Sequence, residues 1–170
     1  MDNSMQNDGE LKLKRIQVLF YALFSSVVFY FIVCEYLARY VFTPEKPGFA
    51  YLPDAQFSIL KTALIALSIV EASVITAVGM GIRNGEKNWA VKIMLGSILG
   101  ANADEYITLQ NAMISMTSFS TSITIYGLVL FLMRGNRLDA YPFMAAGLLL
   151  LLFFRPERGM LEKLKTMKGN

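Results

Sequence analysis

The stretch Thr62–Ile82, TALIALSIVEASVITAVGMGI, decides the class of this chain. Its 21 residues carry a single charge, Glu71, at the tenth position. An apolar run of about 20 residues matches the hydrocarbon thickness of a bilayer at helical rise, so it reads as a transmembrane helix. The same rise puts Glu71 close to the bilayer midplane, where a charged carboxylate costs at least a few kcal/mol. The acid is therefore expected to be held neutral, to be paired, or to face the bundle interior. Lys61 and Arg83, the nearest basic residues along the chain, lie about 15–18 Å away along the helix. No cation of its own helix can reach it.

Composition extends this reading to the whole chain. Of 170 residues, 55% are apolar and 17% charged, and the net charge is +3. The mean hydropathy is +0.46. Uncharged runs of spanning length in such a composition indicate an all-α membrane protein. Most basic residues sit in short flanks beside apolar runs, and no basic, aromatic-interleaved surface suggests nucleic acid. The chain has no histidine. That removes His-ligated haem, His-containing zinc sites and Ser-His or Cys-His catalysis. With no convergent acid pair either, a membrane-embedded enzyme is the third reading, no enzyme is expected, and no catalytic, metal or cofactor residue is assigned. The lone cysteine, Cys34, sits in the first apolar run and reads as an apolar filler.

Four spans are expected, at about 16–42, 57–82, 106–133 and 138–154, between polar cytoplasmic tails at 1–14 and 159–170. The first has the basic flank of a signal peptide (Lys12, Lys14, Arg15) but 19 uncharged residues from Ile16 to Cys34 and no cleavage site, which fits a retained span. Near its end Glu35 and Arg39 form an i, i+4 pair beside Tyr36, Tyr40 and Phe42, an expected interfacial anchor. A Pro-containing loop, Thr43–Gln56, leads to the second span, where Lys61 can snorkel. Between the second and third spans, Val91, Met94, Leu95 and Ile98 recur at helical spacing, predicting a short interfacial amphipathic helix. Asn102–Glu105 has the form of a capping box, predicting a helix start at about Ala103. The fourth span is short: Ala140–Phe154 provides 15 uncharged residues, about 22 Å, so it crosses only with snorkelling of Asp139 and Arg155 or local thinning. A half-inserted hairpin is the alternative.

Lys12, Lys14, Arg15, Arg83, Lys87, Lys92 and the C-terminal Arg155, Arg158, Lys163, Lys165 and Lys168 fall on one side of this arrangement. Arg39, Lys46, Lys61, Arg134 and Arg137 fall on the other. The bias places both termini in the cytoplasm, with the Arg134/Arg137 turn as the feature that argues against it.

The third span is rich in hydroxyls. Thr117, Ser120, Thr121 and Thr124 cluster on one side, with Ser115, Ser118 and Ser122 roughly opposite. Matching the midpoints of antiparallel helices places Thr121, Ser122 and Thr124 at the depth of Glu71, while Ser68 shares its helical face. Glu71, Ser68, Thr121, Ser122 and Thr124 thus form a candidate proton or small-cation site. Alternatively, a protonated Glu71 hydrogen-bonded to Thr121 or Ser122 simply ties the two helices together. Gly79 and Gly81 offer close helix approach. The scattered methionines read as packing.

The run Thr124–Leu130, TIYGLVL, resembles the outer helix of rotary ATPase proteolipid (c) subunits. In that family an ion-binding carboxylate precedes the run by about a turn. Here Thr121 stands at that place, and the Gly-rich companion helix is absent, so the resemblance does not imply a rotor subunit. The C-terminal half, with its final apolar run ending in Phe154-Arg155-Pro156-Glu157-Arg158, is similar to small uncharacterised bacterial four-helix inner-membrane proteins. That resemblance implies a bacterial inner membrane and no assigned activity. The reading from sequence is a small multi-pass inner-membrane protein, a non-enzymatic subunit or accessory of a membrane complex, with proton or cation translocation as the alternative. Its expected partners are the lipid bilayer and either further copies of itself or other membrane subunits.

Overall fold

The computed structural model describes residues 3–43, 48–49, 52–85, 91, 93, 105–157, 159–160 and 163. Among them the regular structure is four helices and no strand: α1 (Asn3–Tyr40), α2 (Asp54–Asn84), α3 (Glu105–Arg134) and α4 (Arg137–Phe153). Among the described residues, three stretches are long and apolar enough to cross a bilayer, Leu13–Tyr40, Asp54–Asn84 and Gln110–Arg134. The fourth helix, α4, has 17 residues. At helical rise it covers about 25 Å, against a hydrocarbon core of about 30 Å.

The helix ends follow local chemistry. Pro53 stands at the N-cap of α2, and Gly85 closes that helix at φ 75°, a left-handed position open to glycine, with its N–H on the carbonyls of Gly81 and Ile82. Gly135, at φ 67°, and Asn136 make the turn between α3 and α4. The Asn136 side chain accepts from the Leu138 N–H and starts α4. At the other end of the chain α1 reaches back to Asn3, so residues 3–14, expected as a tail, are helical. They contain no proline and several strong helix formers, including Leu11, Lys12, Leu13 and Lys14. Of the expected interfacial helix only Val91 and Ile93 lie within the described residues. Both are helical, Val91 fully buried and Ile93 exposed. The proposed capping residues Asn102, Ala103 and Asp104 lie outside the described residues.

α3 and α4 form a tight hairpin, with α1 and α2 packed along its flanks. In lipid, apolar burial does not drive helices together. Close van der Waals packing through small residues does. A Cβ added to Gly147 would lie 2.2 Å from Thr124 Oγ1 and 2.6 Å from the Ser120 carbonyl. One added to Gly127 would lie 2.7 Å from the Ala140 carbonyl. Ser120, Thr124 and Gly127 on α3 therefore form the seat into which Ala140 and Gly147 of α4 press.

The larger core lies between α2 and the hairpin, around Ile75, Val78, Ile82, Met113, Ile123 and Phe143. Two smaller clusters join α1 to the hairpin. One is Cys34 with Phe131, Ala140 and Met144, and the other is Phe20 and Val27 with Leu151. Cys34 is thus packing, as its apolar surroundings suggested. Gly79 admits the ring of Phe154, whose nearest atom a Cβ would meet at 2.0 Å.

Candidate functional site

Glu71 lies on α2 and turns toward α3. Its Oε1 accepts a hydrogen bond of 2.8 Å from the hydroxyl of Tyr126. Its Oε2 is buried and has no hydrogen-bond partner. The hydroxyls expected around it are engaged elsewhere. Thr121 donates to the Thr117 carbonyl at 2.8 Å, Ser122 to Ser118 at 3.1 Å and Thr124 to Ser120 at 3.3 Å. Ser68 donates to the Leu64 carbonyl at 2.8 Å. Each of these is a return bond to its own helix four residues back, the usual resting place for a helical Ser or Thr in an apolar setting.

The partner of Glu71 is therefore one helical turn beyond Ser122, at i+4 on the same face of α3. The correction has a simple physical cause. Side chains on a helix lean toward its N-terminus, so on antiparallel neighbours they lean toward each other along the axis. Matching Cα depths ignores this lean, and a tyrosine is long enough for it to amount to about a turn. A usable signal was present in the sequence. A tyrosine deep in an apolar run has a hydroxyl that needs a partner.

Thr117, Ser120 and Thr124 are buried, and Ser120 and Thr124 lie at the α3–α4 seam against Gly147. Their small size is what the seam requires there.

A second polar assembly lies at the end of the bundle formed by the C-termini of α1 and α3 and the N-termini of α2 and α4. Glu35 Oε2 meets Arg39 Nε at 3.2 Å and Arg137 Nη1 at 3.5 Å, and Tyr141 donates its hydroxyl to Glu35 Oε1. Lys61 pairs with the largely buried Asp139, whose other oxygen accepts from Asn136 Nδ2 at 2.9 Å. Arg134 pairs with Asp54, donates to the Leu52 carbonyl at 3.2 Å and lies 4.0 Å above the Phe57 ring. Sequence spacing presents these residues separately, as an anchor, a snorkelling lysine and a basic turn. The structure joins them into one layer that ties all four helices. Arg134 and Arg137, the residues that argued against the assigned orientation, each face an acid from another helix.

Tyr36 and Tyr40 point outward with rings 5.2 Å apart. Phe42 instead packs inward on Phe131 at 5.3 Å.

At the opposite end the described contacts set cations over aromatic rings. There Arg83 lies 5.5 Å over the Phe153 ring and Arg155 lies 5.7 Å over Tyr21. Lys163 caps the C-terminal end of α2 through the Arg83 carbonyl, where the helix dipole favours a cation. The ion pairs of Glu35, Asp54 and Asp139 all belong to the first end or its immediate flank.

Chemically, the Glu71–Tyr126 pair can hold one proton or fasten two helices. Among the described residues no three His, Cys, Asp or Glu side chains come together as a metal-binding group. Comparison with protein-family models, with curated proteins and with solved structures finds no match to this chain.

Proposed function

We propose that the protein is a non-enzymatic, multi-pass component of a bacterial inner membrane, crossing it four times and serving as a subunit or accessory of a larger assembly. One observation carries this reading: most polar side chains of the bundle are engaged within it, by one another or by their own helix backbone. Glu71 is tied to Tyr126, the α3 hydroxyls to their own backbone, and the charged layer to all four helices. Such commitments build a scaffold. What remains on the outer faces of α1 and α2 is apolar, with Val18, Phe29 and Ile32 on one and Ile59, Ile69 and Val70 on the other. These faces suit lipid and partner helices. Crosslinking and native-gel analysis of the tagged chain in its own membranes tests the reading. A fixed heterologous partner supports it, and a chain that migrates only with itself overturns it.

In this reading α4 crosses with local thinning, the 91–98 region lies at the interface, and both termini are cytoplasmic. The basic residues at the α2 C-terminal end support that orientation. In a Cys34→Ser background, single cysteines at Asn136 and Gly159 should label from opposite sides of the membrane. Labelling from the same side refutes the fourth crossing.

A second reading, translocation of a proton or small cation, is favoured by Glu71 Oε2, a buried oxygen without a partner. Its test is flux in proteoliposomes. Loss of flux in Glu71→Gln with the fold retained supports it, and unchanged flux refutes it.

A further inference from the structure

The geometry points to a phospholipid site in the groove between α2 and α4. The groove has a volume of about 410 Å³. Ile65, Ile69 and Ala72 wall it on α2, Pro142 and Ala146 wall it on α4, and Ile123 of α3 forms its floor. Its one charged boundary is the Lys61–Asp139 pair. Ser68 also lines the α2 wall, its hydroxyl tied to the Leu64 carbonyl. A mostly apolar cleft with a few placed polar groups is the usual form of a ligand site.

Length and charge identify the occupant. Lys61 and Ala72 bound the α2 wall, eleven residues apart, a depth of about 16 Å at helical rise. That matches one leaflet, half of a hydrocarbon core of about 30 Å. The groove therefore takes one acyl chain, entering at the charged layer and ending near the midplane. At the mouth Lys61 offers three donors, of which Asp139 takes one, and its side chain is 39% exposed. A headgroup phosphate at that level accepts from the remaining donors. A lysine at that level meets a headgroup phosphate through its charge and its free donors. Pro142 adds to the polarity of the mouth, because its missing N–H leaves the Leu138 carbonyl without its helical donor.

The site is independent of Glu71 but rests on α2 being a membrane span. The test uses the full chain, purified in detergent, stripped of lipid and titrated with phosphatidylglycerol, with bound copies counted by native mass spectrometry. Diacylglycerol with the same chains is the comparison ligand. One phospholipid is expected to bind more tightly than diacylglycerol. Ala146→Phe and Ile69→Trp, which fill the groove from either side, should each remove that copy. Leu149→Phe, on an exposed position outside the groove, should leave it. The double variant Lys61→Gln/Asp139→Asn keeps hydrogen bonding but removes both charges of a pair that is neutral overall. Phospholipid binding should weaken, by less than the about fivefold of one unpaired lysine near a headgroup, and diacylglycerol binding should stay unchanged. Retention of the lipid in both filling variants overturns the assignment. So does a wild-type dimer that Ala146→Phe dissociates without changing the lipid count, since a second copy then occupies the groove. Release of the wild-type chain from membranes by alkaline wash overturns the membrane reading itself, a failure distinct from either.

Discussion

Removing the Tyr126 hydroxyl tests the central contact of the bundle most directly. In Tyr126→Phe the ring stays and the 2.8 Å bond to Glu71 Oε1 is lost. Because Glu71 Oε2 already has no partner, the substitution leaves the whole carboxyl group without a hydrogen bond. Interhelical hydrogen bonds in membranes contribute about 0.6–2 kcal/mol, so the folding equilibrium should fall by roughly 3- to 30-fold. Glu71→Gln keeps an acceptor for the tyrosine and should stay close to wild type. Glu71→Leu deletes the partner from the other side, and in that background Tyr126→Phe should lose most of its effect. The coupling in the double-mutant cycle is expected to be about 0.6–2 kcal/mol. The assay is reversible unfolding of the purified chain in mixed micelles, titrated with SDS and followed by helical circular dichroism. Thr121→Val and Ser122→Ala complete the design, since both hydroxyls are tied to their own helix and should show no coupling with Glu71. An additive Glu71/Tyr126 cycle, or coupling of Glu71 to Ser122 in its place, refutes this register of α2 against α3.

Further expectations concern packing and the charged layer. Gly147→Ala drives a Cβ into the Ser120 carbonyl and Thr124, fixed parts of α3, and should destabilise by about 1–3 kcal/mol in the same titration. Gly79→Ala drives a Cβ into the buried ring of Phe154, which has to shift, and should also destabilise in this titration. Lys61→Ala strands the largely buried Asp139, and adding Asp139→Asn should restore part of the lost stability; no recovery argues against the pair. Arg39→Ala should change stability by less than about 1 kcal/mol, because that side chain is 64% exposed. Glu35→Ala, which removes contacts to Arg39, Arg137 and Tyr141 together, should cost more.

Particular residues show how far sequence reasoning reached. The apolar runs located α2, α3 and α4 to within a few residues, because a long apolar helix shows in the chain itself as an uncharged run. The start of α1 was missed, since a polar helix extending out of an apolar one has no composition boundary to mark it. The pairing of Glu35 with Arg39 followed from an i, i+4 spacing on one helix. Its further partners, Arg137 and Tyr141, lie far along the chain and share no local pattern with it. The same holds for Lys61 with Asp139 and Arg134 with Asp54. Opposite charges stand near four helix ends, but which of them meet depends on rotations that no spacing encodes.

By itself, the sequence determined the material of this protein. Backbone groups in a bilayer must be bonded within a helix, so long uncharged runs dictate spanning helices, and an acid at the tenth of 21 such residues must lie deep. The tertiary structure alone decided what that acid meets. Helical periodicity assigns a residue to a face, but the partner on the next helix depends on axial register and rotation. Here the seating of Gly147 on Ser120 and Thr124 holds α3 against α4, and the opposed lean of side chains on antiparallel α2 and α3 carries Glu71 past Ser122 to Tyr126.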